Sequence, residues 1–470
     1  MWGTDGGVYL GYGTDATEQH LETRRGKVNR YVGDRHLMTI GPNGSGKSRR
    51  VLLPNLGQLT RWSIVVVDPK GELCQMTRAH REGHGAQSVI LNPFGVLDLP
   101  SDGFNPVAAL DPDSDDFPDE AFGLAESMIR IEGNETHWSA SAQDLVAGLI
   151  MAVRLSMPAT MVMGQKLEAA IHGTPAEIGS LAHVREFLGQ DYDRFRDNIE
   201  AMIGVARNND CPELEAKLSR FVSIDKDSRE LNSILSTAQT QTRWLDSRPI
   251  KEDLGKGVFD FSVLKDRPTT VYLTLPARRL GSHATWLRVM IASIIQPLLK
   301  DTRRPKVPVL LILDEYPALA SGGFAIVEKN MAMFRGFGVK LWTVWQDFGQ
   351  AEKLYGKGWE SFVANAGVLQ SFAPQDVITA EHLSKLMPLR TMRAESQNLS
   401  FSGHSDGKPP SSSHSANTSE QGMPLMLAQH LRNMDDGYSV LFTHKTKGVV
   451  RSFFPYKVDG LEAIYALDPS

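Results

Sequence analysis

At 470 residues the chain is long enough for two or three domains with substantial cores, and 41% hydrophobic against 22% charged residues is an ordinary globular balance. A net charge of −5 argues against nucleic-acid binding over a broad surface, though not against a basic channel within an acidic protein. Cys74 and Cys211 alone exclude a disulfide framework or zinc spacing, and without an apolar run of roughly 18–20 residues or a signal-peptide pattern the expectation is a cytoplasmic protein.

The first predicted element with a chemical signature is a buried strand at His36–Ile40. It opens into Gly41-Pro42-Asn43-Gly44-Ser45-Gly46-Lys47-Ser48, after which Ser48–Leu59 has helical spacing, with Pro54 expected to end the first turns early. Strand, Gly-x4-Gly-Lys-Ser loop and helix together form a phosphate-binding loop. Its glycines let backbone N–H groups face the phosphates, Lys47 reaches the β- and γ-phosphates, and the Ser48 hydroxyl serves Mg²⁺. ATP and Mg²⁺ are therefore the expected ligands, with Gly41–Ser48, Arg49 and Asp68 around the nucleotide.

A second strand, Ile64–Val67, ends in Asp68-Pro69-Lys70-Gly71-Glu72. Pro69 and Gly71 build a turn at a carboxyl strand end, where ligands of open α/β sheets bind. Asp68 or Glu72 could assist at the nucleotide there, and Lys70 could face a polyanion. Val89–Leu91 is a third strand. Beyond Asn105 the texture changes: strand-like runs vanish and helical spacing dominates in Glu120–Ile131, Ala142–Leu155, Val184–Ile203 and Pro212–Val222. The acidic run Asp111–Glu120 reads as a solvated lead-in to a helix.

Strands return at Thr270–Thr274 and Val309–Leu313. The latter ends in Asp314-Glu315, where Asp314 suits the Mg²⁺ side and Glu315 suits polarisation of the attacking water. That pair favours hydrolysis coupled to motion over a small-molecule kinase. Arg335, in Phe334-Arg335-Gly336-Phe337-Gly338, is a candidate transition-state arginine supplied to a neighbouring subunit. The strand Lys340–Val344 leads to Gln346, placed to sense the γ-phosphate. Val368–Gln370 follows, and Tyr438–Phe442 is expected at a sheet edge. Between them, 393–422 is rich in Ser, His, Gly and Asn and is expected to be a mobile loop. Its His404 and His414 are weak metal-ligand candidates. Arg49-Arg50, Arg278-Arg279 and Arg303-Arg304 read first as solvated pairs, and Trp138, Trp244, Trp286 and Trp345 first as core, with base stacking the alternative.

Continuous Val/Ile/Leu strands alternating with helices imply a parallel sheet covered on both faces. The motif order then resembles the coupling proteins of type IV secretion and conjugation, the TraG-like and VirD-type conjugative DNA transfer ATPases. The resemblance is carried by the phosphate loop, Val67-Asp-Pro-Lys-Gly-Glu-Leu73, Val89-Ile-Leu-Asn-Pro93, Phe104-Asn-Pro106, Leu313-Asp-Glu-Tyr-Pro-Ala-Leu319 and Trp345-Gln-Asp-Phe-Gly-Gln350, over about Val8 to Tyr456.

The resemblance implies an α/β fold with a RecA-like P-loop domain (1–105 and 252–470) and an inserted all-α cargo- and partner-recognition domain (106–251). It implies a hexameric ATPase that moves single-stranded DNA with attached protein, effector proteins, or both. Lys47, Glu315, Arg335 and Gln346 would be catalytic, and Ser48 and Asp314 would hold the metal. Accessory and relaxase proteins, secretion-channel ATPases and inner-membrane components would be the partners. Family members begin with two transmembrane helices and this chain shows none. The expectation is an anchor removed, with a monomer as one consequence, or an anchor supplied by a partner at the cytoplasmic face of the inner membrane. A nucleotide-regulated receptor for protein cargo alone is the competing function.

Overall fold

The computed structural model describes residues 6–13, 28–131, 136–157, 179–225, 228–320, 323–402, 411–443, 447–451 and 464, with side chains outside the description at 394–402, 411–417 and 447–451. Its strands, in chain order, are β1 (Val8–Gly13), β2 (Val28–Tyr31), β3 (His36–Ile40), β4 (Ser63–Val67), β5 (Gln87–Leu91), β6 (Thr269–Leu273) and β7 (Val309–Leu313), then β8 (Val339–Trp345), β9 (Ala366–Phe372), β10 (Leu389–Ser402), β11 (Ser411–Pro424), β12 (Tyr438–Thr443) and β13 (Lys447–Arg451). Eleven of them form one sheet in the order β2-β1-β13-β12-β9-β3-β8-β7-β4-β6-β5. From β9 to β5 every neighbouring pair is parallel, and from β9 outward through β12, β13, β1 and β2 every pair is antiparallel.

Both faces of the parallel part are covered, as the unbroken apolar runs require. Alternate residues of one strand enter two separate cores: Val65 and Val67 of β4 face one, Ile64 and Val66 the other. Helix Glu72–Gly83 and the segment after the phosphate loop cover the second face. The first is covered by the helix Leu280–Lys300 and, continuous with it, by the helical segment between β5 and β6.

Among its described residues that segment holds helices and no strand, as expected from the change in texture, but its helices differ in number. Val184–Ile203 is two helices, Leu181–Leu188 and Tyr192–Asn208, because Gly189-Gln190 turns the chain and Asp191 caps the second by accepting the N–H of Arg194. Helices at Arg229–Gln241 and Arg248–Leu254 were not anticipated, and the second crosses the boundary placed at 251.

Three further expectations are corrected. Where a mobile loop was expected at 393–422, the described residues form a hairpin: β10 and β11 pair antiparallel from Leu389 opposite Pro424 to Ser402 opposite Ser411, with 403–410 outside the described residues. Ladder hydrogen bonds need no apolar side chain, so a polar composition does not forbid the hairpin. Leu389 remains 72% exposed. Strand β12 is interior, between β9 and β13, because Lys447–Arg451 supplies one more strand. Finally, Pro54 does not stop the helix after the phosphate loop. Lacking an N–H, it sits in the first turn of Leu53–Gln58, and Ser48–Leu52 widens to a π-turn in which the Leu53 N–H reaches the Ser48 carbonyl.

A buried arginine braces this region. Arg81, 0% exposed, donates from Nε to Thr270 Oγ1 at 2.6 Å and from its terminal nitrogens to the carbonyls of Leu56, Leu59 and Trp62 at 2.7, 3.0 and 2.7 Å. It ties helix Glu72–Gly83 to β6 and to the end of the helix that leaves the phosphate loop.

Candidate functional site

The site is built where β3, β8, β7 and β4 end side by side. Ile40 pairs with Trp345, Leu313 with Thr343, and Val67 with Leu313, so the residues that follow (Gly41, Gln346, Asp314 and Asp68) emerge at one sheet edge. Strand β8 lies between the phosphate-loop strand and the Asp-Glu strand, which sets Gln346 between them.

The Gly41 N–H is held by the Trp345 carbonyl at 3.1 Å. A Cβ on Gly41 would meet Ser45 Oγ at 2.8 Å and Phe372 Cβ at 3.0 Å, while Gly44 and Gly46 take φ of +80° and +83°. These conformations and this close packing require glycine. Lys47 is 7% exposed, and its ammonium donates to the Gly41 carbonyl and, at 3.0 Å, to the Pro42 carbonyl. Burial lowers its pKa, and the nearby Asp314 and Glu315 oppose that shift.

Ser48 Oγ donates to Asp314 Oδ2 at 3.3 Å. Burial raises the Asp314 carboxyl to about 6, with the Glu315 charge adding to the rise and Lys47 opposing it. A hydroxyl and a carboxylate beside one another form a hard oxygen donor set that fits Mg²⁺, and Ser48 and Asp314 would hold it. Its chemistry there is to neutralise phosphate charge. Ser45 Oγ, buried and without a partner among the described residues, adds a polar atom behind the loop.

Glu315 has φ +56°, in the left-handed region that a residue with a Cβ seldom adopts. Its N–H donates to Asp314 Oδ1 at 3.1 Å, which holds the turn. Strain of this kind costs on the order of 1–3 kcal/mol and concentrates at functional sites. Glu315 Oε2 accepts from Gln346 Nε2 at 3.1 Å, and Gln346 Oε1 accepts from Gln350 Nε2 at 3.0 Å. The backbone at Gln350 is fixed in turn, its N–H capped by Asp347 Oδ1 at 2.7 Å. Sequence reasoning assigned no role to Gln350, although its spacing of four from Gln346 on a helix start was visible.

Asp68 is 2% exposed and accepts the Cys74 N–H at 2.8 Å, anchoring the turn in which Gly71 has φ +73°. Burial pushes its carboxyl up to about 7 against that hydrogen bond, and Asp314 raises it further. A cavity of about 640 Å³ gathers Asn43, Gly44, Gly46, Lys47, Ser48, Arg49, Asp68, Lys70, Glu72, Asp314, Glu315 and Gln346. Gly41, Pro42 and Ser45 stand outside its lining. Leu53, Met76, Ala277 and Leu280 give it apolar walls that no motif announced.

Arg335 is elsewhere. It begins the turn that leads into β8 and so lies at the opposite edge of the sheet from Gln346, which leaves that strand. Gly338, at φ +72°, completes that turn. Arg335 Nε pairs with Asp34 Oδ2 at 2.7 Å, and it does not line the cavity of its own chain.

Of the weaker candidates, Trp286 and Trp345 are core, 0% and 1% exposed, and Trp244 is 5% exposed. Arg279 lies 5.0 Å over the Phe94 ring, and Arg303 pairs with Asp301 at 2.9 Å. His404 and the His414 side chain fall outside the described residues, among which no group of three or more His, Cys, Asp or Glu could hold a metal. No helix among them is long and apolar enough to cross a membrane.

The family model described as type IV secretory system conjugative DNA transfer matches residues 11–452. A conjugal transfer protein TraG of Escherichia coli is 26% identical over 420 residues, covering 83% of this chain and 60% of that protein. Protein VirD4 of Agrobacterium fabrum is 26% identical over 420 residues, 86% of this chain and 56% of the relative. The chain thus spans about 60% of the TraG protein's length and slightly less of VirD4's. Among solved structures, the bacterial conjugative coupling protein TrwBdeltaN70 in complex with sulphate superposes with a TM-score of 0.64 at 16% identity over 96% of each chain. TrwB in complex with ADP and Mg²⁺ gives 0.60 at 16% identity over 96% of each. That likeness shows the RecA-like fold with its helical segment, and the family match over 11–452 adds lineage: the chain belongs to the conjugative DNA-transfer family of type IV secretion systems.

Proposed function

We propose that the chain is the motor part of a coupling protein, which binds ATP with Mg²⁺, hydrolyses it, and uses the energy to recruit and move single-stranded DNA, attached protein, or effector proteins. The observation that carries this is the junction of three parallel strands, where Lys47, the Ser48–Asp314 pair and the Glu315–Gln346 pair meet in one cavity. Lys47 is buried with its ammonium on loop carbonyls that phosphate oxygens can replace. Glu315 is held by Gln346 so that its other oxygen is left to orient water. Solved TrwB complexes with ADP and Mg²⁺ and with a non-hydrolysable ATP analogue support the nucleotide class.

In this reading the helical segment, about 106–251, selects cargo and accessory or relaxase proteins. The assembled form is a homo-hexamer at the cytoplasmic face of the inner membrane, with channel ATPases and inner-membrane components as its neighbours. Arg335 acts on the nucleotide of an adjacent subunit, because the geometry keeps it from its own. The test is ATP hydrolysis with and without single-stranded DNA: stimulation is expected, and Lys47→Ala should abolish turnover under both conditions. Hydrolysis indifferent to every DNA supplied would favour a receptor for protein cargo alone.

A further inference from the structure

A second cleft, of about 790 Å³, lies between the helical segment and the sheet and shares Glu315 and Gln346 with the nucleotide cavity. The helical segment contributes Arg130, Arg243 and Trp244 to it, and the helix that starts after Asp347 contributes Gln350 and Lys353. Glu315 is the sole carboxylate among its described lining residues. On a chain of net charge −5 this is a local reversal of sign, and it favours an anionic occupant. Arg243 and Lys353 are both exposed there.

The glutamines that join cavity to cleft have a fixed polarity. A carboxylate only accepts, so Gln346 turns its amide N–H toward Glu315 and its oxygen toward Gln350, which must then turn its own N–H inward. Gln350 Oε1 is left over, buried and without a partner among the described residues. The Trp244 indole N–H, on a residue 5% exposed, is also buried and without one. One acceptor and one donor, both on residues that line the cleft, therefore have hydrogen bonds left to make, which water or a ligand can supply.

We propose that this cleft holds a segment of single-stranded nucleic acid and that Gln350 is the positioning residue through which the strand acts on Glu315. The inference rests on the reading of the chain as a DNA-handling ATPase. Phosphates meet Arg243 and Lys353, a base N–H donates to Gln350 Oε1, and the Trp244 indole donates to the strand. With Oε1 satisfied, the amide of Gln350 is locked, Gln346 stays on Glu315, and the carboxylate keeps its orientation toward water. When the cleft is empty, the single hydrogen bond to Gln346 Oε1 is what holds that amide, and the chain to Glu315 is less firmly fixed. Hydroxyl and amide side chains such as Thr240, Gln241 and Thr285 complete the lining. Met128, Leu280 and Leu354 line it too, so what favours a phosphate strand is the excess of positive charge.

The experiment uses the full chain and a labelled oligothymidylate, with anisotropy read in a non-hydrolysable ATP analogue and turnover read with and without the strand. Arg243→Ala combined with Lys353→Ala should weaken strand binding roughly tenfold or more and reduce the salt slope by about 1.4, two single-strand phosphate contacts. Gln350→Glu keeps the shape but cannot donate to Gln346. It should bind the strand within about threefold of the parent, keep its KM for ATP, and lose strand stimulation of kcat, a split that general loosening of the fold does not produce. The double surface variant should melt as the parent does. Parent-like strand affinity in the double variant, or full stimulation in Gln350→Glu, would overturn the cleft assignment. A parent that hydrolyses ATP yet binds no strand at all would instead overturn the underlying DNA-handling reading.

Discussion

Replacing Arg335 with alanine should separate ATP binding from ATP hydrolysis, and the structure sets the size of the effect. Arg335 and its partner Asp34 are 54% and 40% exposed, at the sheet edge remote from the nucleotide cavity. An exposed pair of this kind is worth at most about 1 kcal/mol, a factor of roughly five. A transition-state arginine contributes on the order of 10³–10⁵ in rate, or about 4–7 kcal/mol. The contact with Asp34 is therefore too weak to withhold Arg335 from a neighbour's phosphate. Arg335→Ala should bind nucleotide as the parent does and lose about 10³-fold or more in turnover. Asp34→Ala should change turnover by about fivefold at most. Turnover per subunit should fall on dilution, because a lone chain does not bring Arg335 to its own cavity. Mixing Arg335→Ala with Lys47→Ala subunits should restore part of the activity, since some interfaces then join an intact loop to an intact arginine. The assay is phosphate release over a protein titration, with mass photometry on the same samples. Turnover per subunit that stays constant where only monomer exists would refute the arrangement.

Glu315→Gln should retain ATP binding and slow hydrolysis on the order of 10²–10⁴-fold, as loss of a general base does; unchanged single-turnover rates would remove Glu315 from that role. Asp68 has its carboxyl raised to about 7 by burial, so the folded chain binds a proton more tightly than the unfolded one. Its contribution to stability is full below about pH 4 and is lost as pH rises toward 8. In nucleotide-free protein, Asp68→Asn should accordingly gain stability relative to the parent at pH 8 and not at pH 4, by a few kcal/mol at most; parallel denaturant midpoints across that range would contradict it. Arg81→Met strips a fully buried guanidinium from three carbonyls and the Thr270 hydroxyl. It should destabilise the chain by about 3 kcal/mol, seen as a lower midpoint in urea, and an unchanged midpoint would show the network to be dispensable.

The sequence by itself determined the parallel sheet and most of the nucleotide cavity. Continuous apolar runs such as Val309–Leu313, too short for buried helices, read as strands covered on both faces, and they end in polar residues whose place at the carboxyl edge follows from strand direction. Glycines that must adopt positive φ, with Lys47 and Ser48 following, carry their chemistry in local spacing alone. Weakly patterned elements were not legible. Strands β1, β2 and β13 and the β10–β11 hairpin are stabilised by pairing with partners distant in sequence or by ladder bonds indifferent to side chains, so no local period announced them. Only the tertiary structure decided three further matters. Asp34, 301 residues from Arg335 in sequence, proved to be its partner. The helical segment proved to share one continuous apolar core with the sheet instead of owning its own. Gln350 became the end of a chain of hydrogen bonds that begins at Glu315, because direction in such a chain is set by a carboxylate that can only accept, and a sequence does not record which side chains meet.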